Sequence, residues 1–245
     1  MAEYNIEPIG FPVVVLGLDT STRAGSIALV RDGAIVLERE GDASRTHGER
    51  LPDDLARVLA DTGIELDAID LLAVAAGPGS FTGIRVGIAA AQGLAIALDR
   101  RIVPVSSLEA LARAGTTKHA LIAAWMDAQR GEVFAALYDA SGRTVIVPPT
   151  SLSPEVTLRR LEETEVQWPI QFIGDGAVRY ADLIAQHRTL STSIVRTVPK
   201  LAGVIGHIAW DAPHRAVSPH AVAPIYIRRP DAELARDRRH AGGHA

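Results

Sequence analysis

With 245 residues, 47% of them hydrophobic and 22% charged, the chain has room for one large globular domain or two modest ones. A formal net charge of −4 excludes a broad basic field for a nucleic-acid backbone, so any RNA-related role rests on a partner or a local patch. The absence of cysteine excludes disulfide frameworks, thiolate catalysis and thiolate metal sites together.

The opening MAEYNIEPIG carries Glu3 and lacks both a basic start and an apolar core, so it does not read as a signal peptide. Arg85 and Gln92 interrupt the longest apolar run, short of the roughly 18 uncharged residues a bilayer span requires. A soluble cytoplasmic protein without membrane contact is the expectation.

After a leader ending near Pro12, Val13–Leu18 is an apolar strand that stops at Asp19, and Thr20-Ser21-Thr22-Arg23-Ala24-Gly25 makes a polar bend. Ser26–Val30 returns as a strand, and Asp32-Gly33 is a hairpin signal leading into Ala34–Glu38. A helix follows from about Gly48 to Thr62, with Leu51, Leu55, Val58 and Leu59 on one face. Leu71–Ala75 is a buried strand, and it runs into Gly77-Pro78-Gly79-Ser80-Phe81-Thr82-Gly83.

The helix predicted after that turn, to about Leu98, has an unusual composition. Gly83, Gly87, Ala91 and Ala95 recur every four residues on one face, and Ala89, Gly93 and Ala97 form a second small stripe. A glycine inside a helix costs about 1 kcal/mol relative to alanine, which close backbone packing can offset. Two readings follow: packing inside the same domain, or a face that receives a partner's helix, with Gly83, Ile84, Gly87, Ile88, Ala91 and Ala95 as the interface.

Ile102–Val105 is a short strand, and Ser106 or Ser107 caps a helix carrying Leu108 and Leu111. The opening plan then recurs. Ala120–Met126 ends at Asp127, Gln129-Arg130-Gly131 bends, Glu132–Tyr138 returns, and Ser141-Gly142 turns into Thr144–Val147. Ser153-Pro154 starts a helix with Val156, Leu158 and Leu161; Ile170–Ile173 is a strand; Ala177–His187 is helical. Pro199 opens a helix with Leu201, Val204, Ile205 and Ile208, and Ala223–Pro230 is extended. Two matched α/β halves are expected, with a cleft between them: an extension over 1–12, domains over 13–105 and 106–230, with the option that the last helix of the second returns to the first, and a mobile tail over 231–245.

The candidate chemistry is sparse. Asp19, Thr20, Ser21 and Thr22 have the types that cradle a phosphate and a magnesium ion, and Asp127 holds the matching place in the second half. The same residues also make an ordinary turn that bonds its own backbone. Gly77–Gly83 lacks the lysine ending of an ATP-binding loop, and Gly174-Asp175-Gly176 reads equally as a tight turn. Eight histidines are scattered, and none has a mate at metal-binding helical spacing. No catalytic residue and no metal site is assigned.

LGLDTSTRAGSIAL, AAGPGSFTGIRVGIAAAQGLA, PVSSLEALA, WMDAQRGEVFAALYD and PIYIRRP together resemble the bacterial TsaB (YeaZ-type) family of tRNA threonylcarbamoyladenosine biosynthesis proteins, from about Val14 to Arg229. The resemblance implies a duplicated actin-like, ribonuclease H-like (ASKHA) α/β fold. It also implies a non-catalytic partner of TsaD in forming N6-threonylcarbamoyladenosine at position 37 of tRNAs that read codons beginning with A. The ATPase TsaE joins the assembly, tRNA is met only through the complex, and self-pairing uses the same helix face. TsaD-type proteins carry a His-x-x-x-His metal pair, whereas this chain reads His47-Gly48-Glu49-Arg50-Leu51. No cofactor is expected beyond weak or vestigial ATP or ADP binding. The competing readings are a kinase or ATPase using Asp19 and Asp127, and a metallopeptidase.

Overall fold

The computed structural model describes residues 13–115, 120–164, 169–187 and 192–228. The extension 1–12, the tail 231–245, and His119, His240 and His244 lie outside the described residues. Strands β1 (Val14–Asp19), β2 (Ser26–Arg31) and β3 (Ala34–Glu40) precede helix α1 (His47–Thr62), β4 (Leu71–Gly77), helix α2 (Phe81–Leu98) and β5 (Arg101–Ser106). Helix α3 (Ser107–Ala114) leads to β6 (Leu121–Asp127), β7 (Val133–Tyr138), β8 (Val145–Leu152) and helix α4 (Pro154–Glu163). Then come β9 (Ile170–Ile173), short helices α5 (Asp175–Arg179) and α6 (Ala181–Gln186), β10 (Thr192–Ile194) and helix α7 (Ala202–Asp211).

The strands form two five-stranded sheets with one wiring. The first has the order β3-β2-β1-β4-β5, and the second, read from its other edge, β8-β7-β6-β9-β10. In each, a meander of two antiparallel pairs supplies one side, and the first meander strand pairs in parallel with the next strand to arrive (β1 with β4, β6 with β9). Asp32 and Gly33, both at positive φ, form the tight turn between β2 and β3 that the Asp-Gly pair predicts.

The chain divides into two compact units, though not at a single point. Among the described residues, unit one holds 13–75, 85–105 and 200–222, and unit two holds 76–84, 106–199 and 223–228. The segment 76–84, expected in the first domain, belongs to unit two, and 200–222, placed in the second domain with the option of its last helix returning to the first, belongs to unit one. Close packing explains the second difference. Helix α7 lies so near β1 that a side chain at Gly17 would overlap the Ala202 carbonyl. The first amides of α7 are satisfied from distant strands: Leu201 and Ala202 N–H donate to Ser26 Oγ at 3.2 and 3.0 Å, and Gly203 N–H donates to Glu38 at 2.8 Å. The helix therefore starts at Ala202 rather than at Pro199.

Apolar cores form on the sheets. Leu16, Leu18, Ile27, Leu29, Leu72 and Ile102 are fully buried in unit one. In unit two, Trp125 and Phe172 meet edge to face at 5.2 Å among Val133, Leu137, Leu158 and Ile184. Three smaller expectations change. Val156 is exposed, with Thr157 taking the buried position; Val204 is only half-buried; and the helix expected over Ala177–His187 breaks at Tyr180. Ala223–Arg228 forms no strand.

Candidate functional site

The first bend closes on itself. Asp19, the last residue of β1, is buried, and its Oδ1 accepts from the Ser21 amide at 2.8 Å and the Ser21 hydroxyl at 2.6 Å. Thr22 Oγ1 accepts from the Gly25 amide at 3.1 Å. Burial pushes the Asp19 carboxyl above the usual carboxylate range, against the opposing pull of the two Ser21 bonds. Thr20 is fully buried, and its hydroxyl has no hydrogen-bond partner among the described residues. It faces α2 at Gly87, where a side chain would overlap it. The Thr20 and Ser21 hydroxyls are thus buried in unit one, while Thr22 is half-buried.

Asp127, at the equivalent strand end in unit two, repeats the turn: its Oδ1 accepts from the Gln129 amide at 2.9 Å, as Asp19 does from Ser21. Its other oxygen accepts from Gln129 Nε2 at 3.0 Å and from Arg179 at 2.6 Å. Asp175 is raised above the usual carboxylate range by burial, and it accepts from the amides of Asp127 and Gly176 at 3.1 and 2.9 Å. The duplication thus extends to the hydrogen bonds of the turns.

Beside the first bend stands a group that sequence reasoning missed. Thr46 and Glu49 form a capping box at the start of α1. On the next turn, Arg50 is buried at 1% exposure, and its guanidinium donates to Asp54 at 2.5 Å, to the Ala24 carbonyl and to His47 Nδ1 at 2.8 Å. Gly41 makes room for it, since a side chain there would overlap the guanidinium. His47 Nε2 lies 3.0 Å from the Thr22 carbonyl. A carbonyl can only accept and an arginine can only donate, so His47 is the neutral tautomer with its proton on Nε2. Burial, reinforced by the Arg50 charge, holds its pKa below the ordinary value. The signal was present in the sequence: His47, Arg50 and Asp54 fall at helical spacings of three and four on one face.

A metal does not fit here. Both ring nitrogens of His47 are engaged, and the position four residues on is Leu51, buried at 6% exposure.

The small-residue helix requires a correction. Ile84, Ile88, Ala91 and Ala95 are buried at 5% exposure or less, and Gly83 and Gly87 are buried as well. The expected interface is therefore covered by the rest of this chain. The exposed side of α2 carries Arg85, Ala89, Gly93, Ile96 and Ala97, and a side chain at Gly93 would meet nothing within 4 Å. The 18 residues of α2, with mean hydropathy 1.5, are long and apolar enough by length and composition to cross a membrane, although Arg85 lies within them. Its buried face is that of a helix packed on its own protein.

Comparison with known proteins gives the class. The family model described as TsaD: tRNA N6-adenosine threonylcarbamoyltransferase matches residues 40–235. The tRNA threonylcarbamoyladenosine biosynthesis protein TsaB of Escherichia coli is 33% identical over 69% of this chain and 74% of its own length. The TsaB of Haemophilus influenzae is 42% identical over 50% of this chain, which spans about half (52%) of that relative. A crystal structure of an uncharacterized Pseudomonas aeruginosa protein with similarity to peptidase YeaZ superposes with a TM-score of 0.72 at 29% identity, over 88% of this chain and all of that one. The fold is the duplicated actin-like α/β fold of the TsaD family model. The chain belongs to the TsaB (YeaZ) group of that family.

Proposed function

We propose that the chain serves biosynthesis of threonylcarbamoyladenosine in tRNA as a non-catalytic subunit that activates or stabilises TsaD. One observation carries this reading. His47, at the position corresponding to the first histidine of the TsaD-type pair, has both nitrogens committed to Thr22 and Arg50. Leu51 supplies no second ligand.

In this reading the chain has no resident cofactor, TsaD is its direct partner, TsaE joins the larger assembly, and tRNA is met through TsaD. The partner docks on the open side of α2, where Ala89, Gly93 and Ala97 permit close backbone approach and Ile96 supplies apolar area. A second copy of this chain occupies the same side when TsaD is absent. The deciding experiment is reconstitution of the tRNA modification from purified TsaD and TsaE, with and without this chain. The expected result is product only when the chain is present, and none from the chain alone. Full modification without it would overturn the proposal.

The matched Asp19 and Asp127 turns support a second reading, a nucleotide-dependent kinase or ATPase. Calorimetry with ATP and magnesium on the isolated chain separates the two. Micromolar binding and turnover, both lost in Asp19→Ala, would favour the enzyme.

A further inference from the structure

We infer that residues 223–228 are a built-in clasp on the Gly77–Phe81 turn, so that the first turn of α2 is held by a segment from the far end of the chain. The clasp begins beyond the last paired residue of β1 on β4. Pairing of β1 with β4 ends at Val74, and two residues on, the Ala76 carbonyl accepts from the Ile225 amide at 2.7 Å. Gly77 has φ of +116°, and a side chain there would place its Cβ 2.6 Å from the Ile225 carbonyl oxygen. Glycine is thus required twice, by conformation and by the approach of the segment.

Phe81 and Tyr226 then stack at 5.7 Å with their planes 28° apart. Arg228 ties down the end, donating to Glu132 and to the Ala128 carbonyl, each at 3.1 Å, while Glu132 also accepts from Ser151 at 2.6 Å. The Gly-Pro-Gly turn, phosphate-loop-like in sequence, is occupied by the chain's own backbone. Residues 223–228 have no helix or strand of their own, and such segments open at lower cost than a core.

The clasp predicts local release, and the inference stands independently of any partner. Hydrogen exchange on the full chain tests it with two variants: Ile225→Pro, which removes the donor to Ala76, and the double variant Tyr226→Ala/Arg228→Ala. The reporters are the amides of Gly83 and Ile84, bonded to Ser80 Oγ at 3.2 Å and to the Ser80 carbonyl at 2.8 Å. Both variants should speed their exchange by about tenfold or more, while β6 and β7 keep wild-type protection. Unchanged exchange at Gly83 and Ile84 would overturn the inference, and so would an equal loss throughout β6 and β7. If Ile225→Pro does not fold, the double variant decides by the same two outcomes.

Discussion

The Thr20 hydroxyl fills the space that a side chain on Gly87 would need, so the turn after β1 and the middle of α2 fit together only because position 87 is glycine. The fully buried hydroxyl has no hydrogen-bond partner among the described residues, so the fit is one of shape. Gly93, six residues on, faces open space. Alanine at the two positions should therefore act in opposite directions. Gly87→Ala is expected to destabilise by ~1–3 kcal/mol through overpacking. Gly93→Ala is expected to stabilise by up to about 1 kcal/mol through helix propensity. Urea unfolding of the two variants measures both signs.

The same pair separates folding from docking. Gly93→Leu should leave the chain folded and abolish co-purification with TsaD, because added bulk blocks a partner helix on the open side. Gly87→Leu should fail at folding, so it does not report on the interface. A folded Gly93→Leu protein that still binds TsaD with wild-type affinity would remove that side of α2 from the interface.

Asp19 carries the cost of a buried carboxylate. Its folded pKa lies above the ordinary 3.8, so protonation favours the folded state, and that advantage is lost as pH rises through the folded value. Asp19→Asn keeps an oxygen to accept from Ser21 and removes the charge. It should unfold at higher urea than wild type at neutral pH, with the gain shrinking as pH falls toward 3.8.

His47 gives the opposite dependence. Its folded pKa is depressed, so the unfolded chain binds the proton first. The resulting stability is fully present above 6.5 and is lost as pH falls through 6.5 toward the folded value. Protonation would also set a cation against Arg50 at 2.8 Å, with Asp54 as an opposing charge that raises the His47 pKa. Urea midpoints from neutral pH into the acid range should decline for wild type and decline less for His47→Gln.

Ser26 serves as a cap supplied from another element. Ser26→Ala leaves the amides of Leu201 and Ala202 without the oxygen that accepts from them, at a cost of ~1–2 kcal/mol. The loss should appear in urea unfolding and as faster exchange at the start of α7.

The parts of the fold legible in the sequence were those written locally. The Asp-Gly hairpin, the proline start of α4 and the acidic ends of β1 and β6 each lie within a few residues of the structure they specify, and the repeat could be read by placing the two meanders side by side. What escaped depended on partners far along the chain. Ser26 and the α7 amides are 175 and 176 residues apart, and nothing near Ala202 announces that its cap lies on β2. Small stripes on α2 were legible as places of close approach, but which stripe faces inward is settled by Thr20, a residue on another element. The buried Arg50 was missed because an arginine beside a histidine on a helix reads as solvated surface until Gly41 and Ala24 are seen around it.

The return of α7 to the first sheet also sets a schedule for synthesis. A ribosome emits β1 to β5 early, yet the helix that lies over Gly17 and takes its cap from Ser26 leaves the exit tunnel only after every strand of the second sheet. The sheet made first is thus covered by its last helix only after the second sheet has been made. For most of translation, the β1 surface around Gly17 stands bare, which is the interval in which a nascent chain of this kind is most exposed to chaperones and to misassociation.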